Sequence, residues 1–337
     1  MGVARTTLLG WLTIGLAACA ADTPAPVSPE ARAHATTPAT ATVARPSAEA
    51  KRPAVVLDKW TDLDASPGAQ ELEAGAAAAA AGDWAKARRE LADGLGRIGN
   101  AGRIDAILAG QALLGRACVV LRDTKCAERA FESVLGAWQG PKTERAILED
   151  ADNDVDLAKP RLQRAILAVA EALFFKAERQ RDELNRVTMP TYKGQPTKAA
   201  IDQFIEKELR PWISKKGEAA ERVEQAYGMV GSIEPAAAPG WLVDASARVG
   251  QVWGKFRAEL RAAPIPAEWK QNGAVPGGEG ATWADVRKMY FAAVDIESEP
   301  LRDRARRAYE RCRSNSVRFG HKDGFTRSCE AWLEHNR

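Results

Sequence analysis

The sequence has few of the residues and motifs on which catalysis depends. Only three of its 337 residues are histidines, and His34, His321 and His335 lie far apart along the chain. It contains neither a G-x-x-x-x-G-K-[ST] phosphate loop nor a G-x-S-x-G motif. Because a catalytic centre needs a base, a nucleophile or a metal held in a cluster, we expect no active site, no bound metal, no cofactor and no small-molecule substrate.

Net charge and long apolar runs are also lacking. The chain has 48 basic and 45 acidic residues, which leaves a net charge of +3. So small an excess produces only a weak electrostatic field, and we expect no nucleic-acid partner. After residue 19, no apolar run approaches the roughly 20 residues of a transmembrane helix. The longest is the alanine-rich segment Ala74–Ala81.

The first residues have the order of a secretory signal peptide. Arg5 supplies a positive charge, and an apolar run follows from Leu8 to Ala18 that is too short to span a bilayer. The run ends in Leu16-Ala17-Ala18-Cys19, which resembles the lipobox of bacterial lipoproteins. The resemblance implies cleavage after residue 18 and lipidation of Cys19. The alternative is an ordinary signal peptide followed by a chance cysteine.

The predicted anchor is followed by a linker over residues 19–56, rich in alanine, proline and threonine. It has too few large apolar residues to offset the entropy of ordering the chain, so we expect a disordered tether. A lipid at Cys19 would then hold an exported protein at a membrane, facing the periplasm. We favour the outer membrane because Ala20 and Ala21 lack the aspartate that retains many lipoproteins in the inner membrane.

Four further cysteines, an even number, suit an oxidising compartment. They are Cys118, Cys126, Cys312 and Cys329. Three pairings are possible. We favour the two local ones, Cys118–Cys126 and Cys312–Cys329, because each would bracket an interhelical turn and stabilise a hairpin by about 2–3 kcal/mol.

From about Leu57 onward, apolar residues recur every three or four positions and strand-like alternation is nearly absent, which predicts an all-α fold. A set of small and large residues also repeats at a constant shift of 40 positions. Its members are Gly75, Ala87, Leu91 and Gly94, which match Gly115, Ala127, Phe131 and Val134. Small residues let paired helices approach closely, and the Leu or Phe fills the groove beyond them.

This spacing resembles the tetratricopeptide repeat (TPR), in which Ala-x3-Phe-x2-Ala marks the second helix of a hairpin. The turns would be Gly82-Asp83-Trp84 and Arg122-Asp123-Thr124. The resemblance implies an α-solenoid of helical hairpins. Two features depart from it: the shift exceeds the usual 34 residues, which implies a lengthened link near residues 96–103, and alanines replace bulky residues in the first helix.

A weaker match to the spacing of the second helix, Val223-x3-Tyr227-x2-Val230, precedes Pro235 and Trp241. We therefore divide the chain into a signal peptide (1–18), a tether (19–56), two TPR-like hairpins (57–140), a helical region with a degenerate hairpin (141–263) and a C-terminal helical segment (264–337). In the last two segments we predict the helices Pro160–Arg181, Ile201–Ile213, Glu218–Ile233, Trp283–Val294, Pro300–Val317 and Gly324–Glu334.

Two residue patterns could suggest binding sites. Asp150, Asp152, Asp154 and Asp156 alternate like calcium ligands, but the calcium-loop pattern requires Gly and Glu where this chain has Val155 and Arg161. We favour a solvated acidic loop before a helix that starts near Pro160. The ten tryptophans could anchor partners, but we expect most of them in the core, because several recur at helical spacing with other apolar residues.

Segments within residues 160–335 are similar to TPR envelope proteins of myxobacteria, including lipoproteins of their adventurous gliding-motility machinery. They include residues 248–256, Tyr309-x2-Cys312 and residues 328–333. The similarity implies a non-enzymatic scaffold in a trans-envelope complex, with other envelope proteins as partners. The alternative is an envelope enzyme or binding protein that acts on cell-wall polymer, which predicts a deep polar cleft with paired carboxylates.

Overall fold

A computed structural model describes residues 68–99, 102–192, 200, 203–263, 265–275 and 280–336, and the structural statements below concern these residues. The predicted signal peptide, Cys19, the tether and Trp60 lie outside them. The described residues form ten α-helices. They are α1 (Ala69–Ala80), α2 (Trp84–Ile98), α3 (Ile104–Val120), α4 (Thr124–Ala137), α5 (Pro141–Asp150), α6 (Val155–Asn185), α7 (Arg210–Gly228), α8 (Pro239–Arg261), α9 (Trp283–Phe319) and α10 (Gly324–His335).

The all-α prediction is confirmed, since the described ranges contain no strand and only one isolated bridge, between Ala274 and Thr282. A π-helical turn, Ile205–Leu209, leads into α7, and short 3-10 helices cover Met229–Ser232 and Ala267–Lys270. None of the described helices is both long and apolar enough to cross a lipid bilayer.

Helices that follow one another pack as pairs: α1 with α2, α3 with α4, α6 with α7, and α8 with α9. The first helices of these pairs also pack in succession, α1 on α3, α3 on α6 and α6 on α8. The second helix of each of the first three pairs contacts the first helix of the next, through α2 and α3, α4 and α6, and α7 and α8. The remaining helices are peripheral: α5 packs on α3 and α6, and α10 on α8 and α9.

The first two hairpins have the same turn. Asp83 caps α2 by accepting a hydrogen bond from the Lys86 backbone N–H, and Asp123 caps α4 in the same way from Cys126. The residue before each aspartate is left-handed, with φ of 80° at Gly82 and 60° at Arg122. The aspartate three residues after the end of each first helix therefore ends the turn and starts the next helix.

The paired helices approach closely at glycines. A Cβ added to Gly75 would lie 2.6 Å from Leu91 Cγ, and one added to Gly115 would lie 2.8 Å from the Phe131 ring. The α8–α9 pair has the same arrangement, in which a Cβ on Gly250 would lie 2.7 Å from the Tyr309 ring.

The second helix of each of the four pairs carries a triplet of buried residues at spacing x3 and x2, although the last member of the third triplet, Val230, lies in the 3-10 helix that follows α7. The members are Ala87, Leu91 and Gly94; Ala127, Phe131 and Val134; Val223, Tyr227 and Val230; and Ala305, Tyr309 and Cys312. The last triplet is not among the repeats that the sequence predicts, and its helix, α9, pairs with α8.

Three predicted helix boundaries are wrong. The helix expected from Pro160 begins at Val155, because the Asp154 side chain caps it and the helix continues through the proline. The helices predicted at 201–213 and 218–233 are mostly one helix, α7, that contains Gly217. The helices predicted on either side of Pro300 are also one, α9, which packs on α8 before and after the proline.

The four cysteines of the described residues lie at disulfide distance in the two local pairs that the sequence favours. Cys118 in α3 is joined to Cys126 in α4, with 5.7 Å between their Cα atoms. Cys312 in α9 is joined to Cys329 in α10, with 6.5 Å between theirs. Each disulfide links two helices that are consecutive in the chain, so each closes one hairpin.

Candidate functional site: the groove between α3, α4 and α6

A groove of about 250 Å³ lies where the C-terminal half of α3, the start of α4 and the second half of α6 meet. Charged and aromatic side chains line it together. The lining residues are Arg116, Val119, Arg122, Thr124, Ala127, Phe131, Glu171, Phe174, Phe175, Glu178, Arg179 and Asp182. Two of the predicted repeat residues, Ala127 and Phe131, therefore also form part of its wall.

A buried ion pair forms one side of the groove. The Arg116 guanidinium donates two hydrogen bonds to the Glu171 carboxylate, at 2.7 and 2.5 Å, and Glu171 is only 2% exposed. Burial alone would lower the pKa of Arg116, but the charge and hydrogen bonds of Glu171 outweigh that effect and the pKa is raised. The Arg116 guanidinium therefore stays charged, and its bidentate pair with Glu171 joins α3 to α6.

Glu178, two turns further along α6, is the centre of a second polar network. It accepts a hydrogen bond from the Tyr227 hydroxyl at 2.5 Å and forms ion pairs with Arg181 and Arg248, at 2.6 and 2.9 Å. Burial and the nearby Glu178 charge raise the pKa of Tyr227, so this hydroxyl remains a donor. The network connects α6 with α7 and α8.

The rest of the groove lining combines buried and exposed side chains. Phe131 and Phe175 pack with ring centroids 4.6 Å apart, and Arg179 forms an ion pair with Glu128 at 3.1 Å. At the end of α3, Val119, Val120 and Leu121 are each about 40% exposed. The groove lining therefore combines apolar and aromatic side chains with paired charges, and it contains no histidine, cysteine or serine. Such a surface suits the recognition of a polar peptide segment.

The other predicted site residues lie elsewhere. Gly75, Ala87, Leu91 and Gly115 are buried between paired helices, where they serve packing. The disulfides lie at hairpin ends, although the Cys118–Cys126 bridge is close to the groove because both helices contribute to it. None of the eight tryptophans in the described residues is exposed; four are buried and four are partly buried.

The acidic run has structural partners. Asp154 accepts hydrogen bonds from the backbone N–H groups of Asp156 and Leu157, and Asp150 forms an ion pair with Arg161 at 3.0 Å. These contacts fit the interpretation of a capping, solvated loop before a helix.

Two features were missed in the sequence. The residues Gly94-Leu95-Gly96-Arg97-Ile98-Gly99 match G-x-G-x-x-G by letter, but most of them belong to the end of α2, and no strand precedes them in the described part of the chain. His321 was expected to stand alone, whereas the structure brings it together with Asp244 and Asp323. Their potential ligand atoms all lie within 4.8 Å of one another, and among the described residues this is the one group that could hold a metal ion.

Comparison of the chain with protein-family models, curated proteins and solved structures finds no match.

Proposed function

We propose that the protein is a lipid-anchored scaffold of TPR-like helical hairpins, and that its groove binds an extended segment of another cell-envelope protein. The observation that carries the proposal is the repeated arrangement of the helices. Four hairpins follow one another, their first helices pack in succession, and the same buried triplet recurs in their second helices. A tetratricopeptide-like solenoid has this order of contacts, and its stacked first helices offer an extended binding surface.

The chemistry of the groove supports a peptide as the ligand. An extended peptide presents backbone N–H and C=O groups along its length, together with side chains of either charge. Arg122, Arg179 and Asp182 are at the groove, and all three keep part of their side chains exposed. Val119, which is exposed and lines the groove, adds an apolar contact for a side chain of the partner.

The sequence supports the location and the setting of the proposal. The lipobox-like segment that ends at Cys19 would attach the chain to a membrane, and residues 19–56 would act as a tether. The similarity to myxobacterial envelope proteins leads us to propose a role in a gliding-motility or envelope-assembly complex, with other envelope proteins as partners.

Site-specific photo-crosslinking in the native envelope tests the groove. A photoreactive residue in place of Val119, which is 41% exposed in the groove wall, should form an adduct with one partner protein. The matched control is Val317, 76% exposed on α9. We expect the Val119 adduct to decrease about tenfold when Arg122→Glu reverses a charge at the groove, which corresponds to about 1.4 kcal/mol of binding energy.

Equal adducts from both positions, or none from Val119, would count against the groove as the binding site.

The anchor is tested in the same cells by fractionation. Wild-type protein should remain with the membranes, whereas Cys19→Ser should release it to the soluble fraction. If the Cys19→Ser variant stayed with the membranes as the wild type does, lipid anchoring would be contradicted.

A further inference from the structure

The group formed by Asp244, His321 and Asp323 joins parts of the chain that are far apart in sequence. Asp244 lies in the second turn of α8, while His321 and Asp323 belong to the short turn between α9 and α10. The side chain of Asp244 is nearly inaccessible, with the residue 5% exposed, whereas His321 and Asp323 are partly buried. The group therefore lies at the contact between α8 and the last hairpin.

The turn that carries His321 is held from several sides. The backbone oxygen of His321 accepts hydrogen bonds from the hydroxyls of Ser316 and Thr326, at 2.5 and 3.3 Å, and both hydroxyl residues are 2% exposed. The His321 backbone N–H donates a hydrogen bond to the Ser316 backbone carbonyl oxygen at 3.1 Å. The Cys312–Cys329 disulfide links the two helices that flank the turn. Metal sites need ligands oriented in this way by contacts around them.

The donor atoms of the two turn residues face each other. Asp323 uses Oδ1 to cap α10, by accepting a hydrogen bond from the Thr326 N–H at 2.8 Å. Its Oδ2 lies 3.6 Å from His321 Nε2. That nitrogen is buried and makes no hydrogen bond to any described residue. The ring lies against Gly240, where a Cβ would be 3.1 Å from Cε1.

We propose that Asp244, His321 and Asp323 bind a divalent transition-metal ion, with Zn²⁺ as the ion that this donor set suits. One imidazole nitrogen and two carboxylate oxygens are ordinary zinc ligands. Zinc ligands at about 2.0–2.1 Å in a tetrahedron are about 3.4 Å apart, close to the 3.6 Å between Nε2 and Oδ2.

Binding at this site would connect α8 to the α9–α10 turn. Three protein ligands leave a fourth position for water. The ion would add a crosslink beside the disulfide at the C-terminal end of the chain, so the metal-bound protein should unfold at a higher temperature. This inference is independent of the peptide-binding groove, which is formed by α3, α4 and α6.

The test is a Zn²⁺ titration of the non-reduced full chain by calorimetry, with Co²⁺ absorption as a second readout. We expect one Zn²⁺ per chain, visible Co²⁺ bands typical of a low-coordinate site, and a higher melting temperature with Zn²⁺. His321→Ala should weaken binding by about 100-fold. The matched control is His335→Ala, which removes the exposed histidine of α10.

A second variant tests whether weaker Zn²⁺ binding could result from loss of folding. Asp323→Asn keeps a side-chain oxygen that can cap α10, because asparagine is as good a cap as aspartate, but it removes the charge. It should retain the circular dichroism of the wild type and bind Zn²⁺ more weakly. An absence of stoichiometric binding to the wild type, or equal binding by the wild type and the folded Asp323→Asn and His321→Ala variants, would overturn the proposal and leave His321 as an ion-pair partner only.

Discussion

At the scale of the residue, some glycines lie where the paired helices leave no room for a side chain. Gly115 has the Phe131 ring within 2.8 Å of the place where a Cβ would be, and both residues are buried. Gly136 in α4 is exposed and has no atom within 4 Å of that place. The same residue type therefore serves packing at one position and has no such role at the other.

This difference predicts opposite effects of one substitution. Gly115→Ala should destabilise the protein by about 1–2 kcal/mol, because overpacking costs about 1–3 kcal/mol and the gain in helix propensity offsets up to about 1 kcal/mol of it. Gly136→Ala should leave stability unchanged or raise it by up to about 1 kcal/mol. Urea unfolding of both variants measures the difference. Equal effects would show that the helices can separate at Gly115 without loss.

At the scale of the element, hairpins are closed by residues close together in the sequence. The repeated Asp caps and left-handed turns are local features, and so are the disulfides, whose cysteines are 8 and 17 residues apart. Local contacts of this kind are the ones that sequence spacing indicates best, so the first two hairpins were predicted with their turns in the correct place.

The disulfides should contribute measurably to stability. Closing loops of these lengths stabilises a protein by about 2.5 kcal/mol for Cys118–Cys126 and about 3 kcal/mol for Cys312–Cys329, on the chain-entropy estimate. We expect the Cys118→Ala/Cys126→Ala and Cys312→Ala/Cys329→Ala variants to lose about these amounts in denaturant unfolding. Thiol labelling of the native, non-reduced wild type should find all four cysteines protected. Full labelling without a reductant would contradict both disulfides.

The three wrong helix boundaries were predicted near Pro160, Gly217 and Pro300. In the structure each of these residues lies inside a longer helix. Pro160 and Pro300 each remove one backbone donor, which favours a helix end when only the sequence is considered. In the structure, residues on both sides of Pro300 contact α8: Asp295 forms an ion pair with Arg261, and Tyr309 packs on Gly250. This packing offsets the lost hydrogen bond, and it could not be foreseen without knowing which helix is the neighbour.

At the scale of the whole molecule, buried charges join helices that are far apart in the sequence. Arg116 and Glu171 connect α3 to α6, as do Arg164 and Asp105, while Arg248 and Glu178 connect α6 to α8. Ion pairs with little solvent access therefore join α3 to α6 and α6 to α8. Such pairs stabilise the correct register, because a shifted helix would leave a charge buried alone.

The buried Arg116–Glu171 pair predicts a large loss of stability when only one of its charges is removed. Glu171→Gln should destabilise the protein by about 3–5 kcal/mol, because it leaves the Arg116 charge buried without its counter-charge. The double variant Arg116→Met/Glu171→Leu should lose much less, since neither charge remains. Asp182→Asn, at an exposed position in the groove, is the control and should change stability by less than about 0.5 kcal/mol. Additive losses in the double variant would show that the two residues do not act as a pair.

The sequence by itself determined the helical class, the first two hairpins, the packing glycines and the local cysteine pairs. These follow from periodicity, capping residues and short spacing, which are properties of neighbouring residues. Only the tertiary structure decided that α6 and α9 continue through proline, that a fourth buried triplet packs on α8, and that Arg116 meets Glu171. It also decided that His321 lies beside Asp244 and Asp323. Each of these features depends on packing between segments far apart in the sequence, and the spacing of neighbouring residues does not show which segments pack together.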